Sequence, residues 1–364
     1  MIELPLPNEL FEQLPRLNQQ PLIDAHLRTV ADDFQVNEIL SFEPEGVGDH
    51  LFLYIEKQNC NSDWVISYLQ RHFKLKPADV GYAGKKDRYS ISRQWFSLYF
   101  PEKRSNEVSA IVETIDNDSF KVLTVTRHVK KLRVGAISEN QFCITLRGLT
   151  EKLDEQIFGS LIANGFPNYY GYQRFGHQGN NLSKALQVLA GKIKVKSRSR
   201  RGIYLSALRS YLFNIQVAYR INHQLWSTAL DGDCFSLSGS RSYFHCDKVD
   251  QPTIERLAQG DVSISGWLVG QQASEVTGAA LTLEQSALTD FQPVIALIQS
   301  SPLGQRLQSA RRPIRAFARD FKVLASNQQQ LTLQFGLPSG SYATSLLREL
   351  FRIKDLALLE NRND

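Results

Sequence analysis

Strand patterns occur near both ends of the chain, and the segment between them has a different character. Short apolar runs predict strands over residues 34–40 and 120–128, and strand patterns return at 316–324 and 331–335. Residues 181–224 have helical spacing, interrupted by a basic stretch. Strand-rich ends around a helical middle predict a discontinuous domain that carries an insertion. The predicted domains are residues 1–157 with 308–364, and an inserted domain of residues 158–307.

Shorter patterns predict the remaining elements. A helix over 151–164 is indicated because Gly165 and Pro167, typical of a helix end, follow it. Candidate caps are Ser62 or Asp63 for a helix over 64–73, and Ser339 or Ser341 for a final helix near 341. The other predictions are strands at 51–55, 94–100 and 141–149, a helix at 106–115, and a looser acidic segment at 231–300.

The net charge of +5 over 364 residues hides an uneven distribution. Residues 231–300 contain 3 basic and 9 acidic residues, a net charge of −6. The other 294 residues carry 39 basic and 28 acidic residues, a net charge of +11. This asymmetry indicates a surface that binds a polyanion, with an acidic segment kept away from it.

Composition and motifs exclude several classes of protein. A hydrophobic content of 42% supports a packed core and is too high for a disordered chain. No apolar run approaches the roughly 18 residues that a membrane helix needs. The four cysteines lack C-x-x-C spacing, which favours free thiols in a reducing cytosol over disulfides or a zinc site. Glycine-rich nucleotide motifs and histidine metal motifs do not occur.

A dense polar cluster, GYAGKKDRYSISRQW, begins at Gly81 and contains a candidate nucleophile. Gly81 and Gly84 permit a tight turn. Asp87 follows between Lys86 and Arg88, and adjacent cations favour an ionised carboxylate, which suits a nucleophilic aspartate. The alternative is a solvated polar turn.

Two further clusters are candidates for contact with nucleic acid. PNYYGYQRFG, residues 167–176, interleaves aromatic rings with the guanidinium of Arg174, and predicts either base and phosphate contacts or a packed domain junction. The second cluster is a run of cations that forms either a surface loop or an RNA contact: Lys192, Lys194, Lys196, Arg198, Arg200 and Arg201. Two smaller basic groups, at 127–133 and 311–319, fall in the strand-rich part, and a solvated strand end is one interpretation of each.

The stretch AGKKDRYSISRQ resembles the signature of the TruD family of tRNA pseudouridine synthases. Five other segments resemble family motifs in the same order: ADDFQVNE (31–38), KLRVGAISENQF (131–142), PNYYGYQRFG (167–176), LSALRSYLFN (205–214) and LPSGSYATSLLREL (337–350). The similarity spans about residues 25 to 350. The chain resembles the bacterial members, because it lacks the insertions of the longer eukaryotic relatives.

The resemblance implies both a fold and a reaction. The fold is α+β, with a mixed, largely antiparallel sheet and flanking helices in the catalytic domain, which carries an inserted, mainly helical α/β domain. The reaction is isomerisation of uridine to pseudouridine in tRNA, at position 13 in bacterial members. It needs no cofactor and no metal. The implied protein is cytoplasmic and monomeric, with tRNA as its partner and no membrane association.

The resemblance also assigns site residues. The catalytic aspartate of the family falls on Asp87, and Phe142 matches the aromatic residue expected to stack on the target base. Asn140 lies two residues before it, and period-two spacing puts both on one face of their strand. Phe34 matches the aromatic residue of the N-terminal element. Arg28 stands where a bacterial relative has lysine, as a partner of the aspartate with fork geometry in place of a point charge.

The cations are expected to hold tRNA phosphates while the uridine is extruded. Their charge makes Lys85, Lys130, Lys131 and Arg133 candidates for these contacts, beside Arg174 and the run at 192–201. Two other functions stay open at this point: an RNA-binding or tRNA-folding factor on the same scaffold, and an RNA methyltransferase. The second is disfavoured because no glycine-rich cofactor loop follows an early strand.

Overall fold

The structure is a computed structural model that describes residues 11–150 and 152–357. The strands are β1 (Ile23–Leu27), β2 (Phe34–Leu40), β3 (His50–Lys57), β4 (Val80–Tyr82), β5 (Ile91–Tyr99), β6 (Phe120–His128), β7 (Ile137–Arg147), β8 (Phe166–Pro167), β9 (Cys234–Leu237), β10 (Tyr243–His245), β11 (Val262–Leu268), β12 (Ala310–Pro313), β13 (Arg315–Ala316), β14 (Arg319–Ser326), β15 (Gln330–Pro338) and β16 (Phe351–Asp355). The helices are α1 (Ser62–His72), α2 (Val108–Ile115), α3 (Gly159–Asn164), α4 (Asn180–Leu189), α5 (Arg198–Asn222), α6 (Gln251–Ala258), α7 (Gly278–Ala287), α8 (Gln292–Ser300) and α9 (Ala343–Leu347).

The described residues form two compact units. The sheet unit consists of Pro21–Ala163, Ala318–Gly340 and residues 350–357. The helical unit consists of residues 11–20, Asn164–Phe317 and Ser341–Glu349. The chain therefore passes between the units at 163/164 and 317/318, a few residues after the boundaries that we predicted near 158 and 307.

The sheet unit contains one mixed sheet, with ten strands in the part of the chain described. Its main order is β14–β15–β7–β2–β5–β3–β6; β4 pairs with β5, and β1 pairs with β7 and β16. The pairs β1–β16 and β2–β5 are parallel. The other pairings are antiparallel. This topology confirms the predicted α+β class with a mixed, largely antiparallel sheet.

One face of the sheet unit packs against α1 and α2. Leu51, Leu53 and Ile55 alternate along β3 and are fully buried there. Val65 and Leu69, four residues apart on α1, are buried in the same cluster. The alternating apolar residues of β3 and the helically spaced apolar residues of α1 therefore form one core. This core positions the loop at the end of β3 and the loop before β5.

Several predicted elements are confirmed, and β2 and β6 have the predicted bounds. The predicted helix over 64–73 forms as α1, but its cap is Asn61, whose side chain accepts the N–H of Trp64 at 2.8 Å. Ser62 is instead buried and bonded to Gln94, 2.6 Å between Oγ and Oε1. The cap prediction was wrong because the Ser62 hydroxyl has a tertiary partner.

The predicted helix over 151–164 was wrong over most of its described length; residue 151 lies outside the described residues. The Asp154 side chain accepts the N–H of Gln156 at 2.9 Å and starts a short 3₁₀ turn, so α3 begins only at Gly159. The predicted strand over 316–324 is likewise interrupted between β13 and β14. The final helix begins at Ala343 after Tyr342, without a side-chain cap.

The helical unit is organised around α5. Its buried apolar residues, among them Leu208, Leu212 and Val217, belong to one hydrophobic core with residues of α4 and β11. A second sheet has the order β10–β9–β11–β12, and β8 pairs with β13. Residues 231–300 hold three strands and three helices, so the prediction of a looser segment was wrong. The pattern concealed this order because buried serines of β11 replace apolar side chains and bond to main-chain carbonyls.

Residues 11–20 and Ser341–Glu349 lie in the helical unit although we predicted them in the first domain. The buried guanidinium of Arg348 donates to the carbonyl oxygens of Phe11 and Leu14. The N–H of Leu17 donates to Glu349, at 2.7 Å. These residues are more than 300 positions apart, so local sequence patterns cannot reveal the association.

Candidate active site around Asp87

Asp87 lies in the connection between β4 and β5, residues 83–90, here called the Asp87 loop. A Cβ on Gly81, just before it, would approach the carbonyl oxygen of Leu132 to 2.4 Å, so glycine is required there. Gln94 donates to the carbonyl of Gly84 at 3.1 Å, and the N–H of Lys86 donates to Ser62 at 2.9 Å. The loop is therefore held by side chains from β5 and α1.

The carboxylate of Asp87 combines a charged partner with access to solvent. Its Oδ2 lies 3.7 Å from Nη1 of Arg28, and 49% of its side chain is exposed. Its main-chain carbonyl accepts hydrogen bonds from Lys57 Nζ at 2.8 Å and from Ser90 Oγ at 3.1 Å. The backbone of Asp87 is thus anchored beneath the loop while the carboxylate points outward.

The guanidinium of Arg28 faces the carboxylates of two residues, Asp355 and Asp87. Its side chain is 3% exposed, and Nε donates to Oδ1 of Asp355 at 2.9 Å while Nη2 contacts Oδ2 of the same residue. The guanidinium carbon lies 5.4 Å from the centre of the Phe34 ring. Arg28 has φ of 56°, a left-handed conformation that is uncommon for a residue with a side chain. The fork geometry noted in the sequence is therefore used here, because it lets one cation face Asp355 and Asp87.

Two buried cations support the Asp87 loop. Lys86 Nζ lies 2.6 Å from Oε2 of Glu38, and both side chains are almost fully buried. The other oxygen of Glu38 accepts the N–H of Trp95 at 3.0 Å. Lys57 is fully buried at the end of β3 and donates to the carbonyls of Cys60 and Asp87, both at 2.8 Å. Burial lowers the pKa of Lys57 to about 8, although electrostatic interactions with Cys60 and Asp87 act in the opposite direction and raise it.

An aromatic group, defined as Phe34, Phe142 and Phe335, lies in the same sheet. Phe142 packs edge-on against Phe34, with ring centroids 6.0 Å apart, and stacks on Phe335 at 5.6 Å. Phe142 is 8% exposed, so a base can stack on its face only if a neighbouring ring moves. Asn140 shares the face with Phe142, and among the described residues its Oδ1 has no hydrogen-bond partner.

The register of the sheet connects the aromatic group with Lys57. Phe142 pairs with Val36 on β2 and with Phe335 on β15. Val36 pairs with Ser92 on β5, and Ser92 pairs with Lys57 on β3. Because paired residues project to the same face, one row holds Phe335, Phe142, Val36, Ser92 and Lys57. The predicted base-contacting residues and the anchor of the Asp87 loop therefore lie on one face.

The predicted phosphate-binding residues of the sheet unit are exposed or half-buried. Lys85 is half-exposed and pairs with Asp63, 2.8 Å between Nζ and Oδ2. Lys130 and Arg133 are exposed in the turn between β6 and β7. Lys131 is half-buried and donates to the carbonyl of Ala78.

In the helical unit, Arg174 is engaged within the fold. Its guanidinium lies 5.5 Å from the Tyr170 ring centre and donates to Ser210 at 3.2 Å and to Ser206. The basic segment, defined as Lys192, Lys194, Lys196, Arg198, Arg200 and Arg201, differs from it. Its first five members are exposed, and Arg201 donates to the carbonyls of Val195 and Lys196. Within the described residues no ion pair involves the segment.

Sequence reasoning missed the polar groups that hold the site. Lys57 had a usable signal, since it is a cation at the end of an alternating apolar strand, LFLYIEK. Glu38 and Lys86 lay inside recognised motifs but were not paired. Asp355 and Phe335 had no local signal, because each reaches the site through pairing of strands that are distant in sequence.

The described residues contain neither a metal-binding cluster nor a membrane-spanning helix. No cluster of three or more histidine, cysteine, aspartate or glutamate side chains is close enough to hold a metal ion. Equally, none of the described helices combines the length and apolarity needed to span a membrane.

Comparison with known proteins identifies the family. The family described as tRNA pseudouridine synthase D (TruD) matches residues 14–197 and 177–350. A tRNA pseudouridine synthase D of Methylococcus capsulatus is 39% identical over 93% of this chain and 94% of its own length. One from Shewanella oneidensis is 40% identical over 96% of this chain and 92% of its own length. This chain belongs to the TruD family.

A solved structure has the same fold. It is described provisionally as a tRNA pseudouridine synthase D from Methanosarcina mazei, and it superposes with a TM-score of 0.68. The match covers 94% of this chain and 97% of the other, at 20% identity. The α+β fold is therefore shared at low sequence identity.

Proposed function

We propose that this protein isomerises uridine to pseudouridine in tRNA, at position 13, with Asp87 as the catalytic carboxylate. In this reaction the C1′–N1 bond breaks, the uracil turns, and a C1′–C5 bond forms. C5 then loses a proton and N1 gains one, so the product is an isomer of the substrate. One observation carries the role of Asp87: its half-exposed carboxylate lies 3.7 Å from the buried guanidinium of Arg28.

Asp87 can act in either of two ways. An ionised carboxylate can attack C1′ as a nucleophile, or it can take the 2′-proton on the way to a glycal. Both routes need a fixed carboxylate beside the ribose. Arg28 orients it through opposite charge, and the hydrogen bonds from Lys57 and Ser90 fix the main chain beneath it.

The uracil is proposed to bind over the aromatic group. A uridine within folded tRNA must be extruded, at a cost of a few kcal/mol that stacking and phosphate contacts offset. The unpartnered Oδ1 of Asn140 is available to a base donor. Stacking on Phe142 requires a rearrangement of Phe34 or Phe335, which makes the aromatic group the part of the site expected to change on binding.

The exposed cations are proposed to bind tRNA phosphates. The basic segment includes the first turn of α5, where the helix dipole is also positive, so both favour an anion. In the sheet unit, the residues proposed to bind phosphates are Lys85, Lys130, Lys131 and Arg133. Of these, Lys85 also forms an ion pair with Asp63. Arg174 is a weaker candidate, because Ser206 and Ser210 already accept its donors.

The test is carbodiimide mapping of pseudouridine in tRNA incubated with the pure protein. We expect a new stop at position 13 with wild-type protein and none with Asp87→Asn, while Asp87→Asn retains tRNA affinity. Pseudouridine formed at another tRNA position would contradict the assignment to position 13. Substantial modification by Asp87→Asn would remove Asp87 from the catalytic role.

A tRNA-folding function on the same scaffold makes a different prediction. In a strain that lacks the gene, Asp87→Asn would restore the tRNA-dependent phenotype as well as wild type if folding dominates. We expect no such rescue.

We propose the cytoplasm as the location of the reaction. The free thiols of Cys60, Cys143, Cys234 and Cys246 support a reducing compartment. Light scattering of the protein with and without tRNA tests the proposed monomer.

A further inference from the structure

Lys57 is a fully buried cation whose hydrogen bonds go to two loops. Its Nζ donates to the carbonyl of Cys60, in the turn before α1, and to the carbonyl of Asp87, both at 2.8 Å. These two carbonyls are 27 residues apart in the chain. Lys57 therefore ties the Asp87 loop to the end of β3 and to the start of α1.

Burial of a lysine at this position is unfavourable for the stability of the fold. Burying an ammonium group costs free energy that main-chain carbonyls offset only in part, and apolar residues of similar size often stabilise such positions better. The neighbours of Lys57 on β3, Leu53 and Ile55, show that this strand otherwise carries apolar side chains toward the core. A cation at this position calls for a role that an apolar residue cannot fill.

We propose that Lys57 is a positioning residue for the isomerisation, acting through the main chain of Asp87 to hold the carboxylate beside the ribose. The proposal rests on the catalytic role proposed for Asp87. Lys57 touches no reacting atom: its partners are the carbonyls of Asp87 and Cys60, while the carboxylate of Asp87 faces Arg28 and solvent. A displacement of about 1 Å at a reacting group can cost on the order of 100-fold in rate.

Ser90 provides an internal check on this mechanism. Its hydroxyl donates to the same carbonyl oxygen of Asp87, at 3.1 Å, and it carries no charge. If anchoring of this carbonyl is what matters, Lys57 and Ser90 act on one acceptor. Their substitutions should then be non-additive.

The main experiment measures release of tritium from tRNA labelled at C5 of uridine, in single turnover with protein in excess. For Lys57→Met we expect the rate at saturating protein to fall on the order of 100-fold. Affinity for tRNA, measured by filter binding, should stay within about twofold, because exposed cations and not Lys57 face the phosphates. The melting temperature should not fall, since a buried charge is removed.

Two further variants and a control complete the design. Ser90→Ala should slow the reaction several-fold. The fold loss of rate in the double variant should be smaller than the product of the fold losses in the two single variants. Lys121→Met is the matched control, because Lys121 is exposed on the neighbouring strand β6, and it should react at the wild-type rate.

The outcomes separate this proposal from the one on which it rests. If Asp87→Asn still forms pseudouridine, the role of Asp87 fails whatever Lys57 does. If Asp87→Asn is inactive but Lys57→Met reacts within about threefold of wild type, the positioning role is overturned. It is also overturned if Lys57→Met loses rate, tRNA affinity and thermal stability together, since that pattern indicates a structural lysine.

Discussion

The cations around Asp87 and the cations of the basic segment are the same residue types in opposite environments. Arg28, Lys57 and Lys86 are buried, and each binds defined oxygen atoms of the sheet unit. The five leading residues of the basic segment are exposed and unpaired within the described residues. Buried cations with fixed partners can orient one carboxylate, whereas solvated cations can attract a polyanion without fixing its position.

The buried and the exposed cations are expected to affect different properties of the protein, although a count of charges treats them alike. Loss of a buried cation should reduce stability or rate with little effect of salt. Loss of exposed cations should reduce affinity in a salt-dependent manner and leave the chemical step intact. We expect the largest effect from loss of a buried cation and the smallest from loss of the exposed ones.

Arg28→Met should have the largest effect. It leaves the buried carboxylate of Asp355 without the two contacts from the guanidinium, and removing one partner of a buried pair costs about 3–5 kcal/mol. Activity should fall as well, because Asp87 loses its charged partner. Urea unfolding and the tritium-release assay check both effects. Arg352→Met is the control, since Arg352 pairs with Asp24 at the surface; a loss of similar size there would contradict the contrast.

Lys86→Met and Lys85→Met compare a buried and an exposed cation at adjacent positions. Lys86 is paired with buried Glu38, so its replacement should lower the free energy of unfolding by about 3 kcal/mol. Lys85 pairs with Asp63 in solvent, so its replacement should change the free energy of unfolding by no more than about 0.5 kcal/mol. Urea unfolding of both variants in parallel is the measurement. Equal losses would show that burial does not decide the energy of these pairs.

Lys57 should give stability an unusual pH dependence. Burial lowers its pKa from 10.5 to about 8, so above pH 8 the unfolded chain binds a proton there that the folded protein has released. Stability rises with pH where the unfolded state binds more protons. Relative to Lys57→Met, wild-type protein should therefore gain up to about 3 kcal/mol between pH 8 and 10.5. Urea unfolding across this range tests it, and a constant difference would argue against a depressed pKa.

Neutralising the basic segment should have the smallest effect. With its six cations changed to glutamine, tRNA affinity should fall about tenfold at moderate salt, and the dependence of affinity on salt should become shallower. The single-turnover rate at saturating protein should not change. Filter binding at several salt concentrations and the tritium assay provide the measurements. A reduced saturating rate with unchanged affinity would assign the segment to the chemical step instead.

Much of the fold was predictable because its signals are local. The apolar patterns of β2 and β6 predicted their bounds, and the helical spacing of α1 predicted its position. The failures also have local causes. Asp154 diverts the chain into a 3₁₀ turn, and the buried serines of β11 hide a strand, since their hydroxyls are bonded to main-chain carbonyls.

The candidate site was predicted unevenly. Asp87, Arg28, Asn140 and Phe142 were selected from motifs, and the structure brings Arg28 to Asp87 and aligns Asn140 with Phe142 on β7. Their functional roles stay proposals. Lys57 was not selected, because a lysine at the end of a strand usually faces solvent.

The sequence by itself determined the α+β class, the family and the loop that carries Asp87. Each of these is recorded in periodicity or in short ordered motifs. Only the tertiary structure decided that Arg28 contacts Asp355, 327 residues away, and that Lys57 is buried beneath Asp87. The reason is physical: residue spacing determines which face a side chain occupies, whereas the partner of a buried charge depends on which strands pair and in which register.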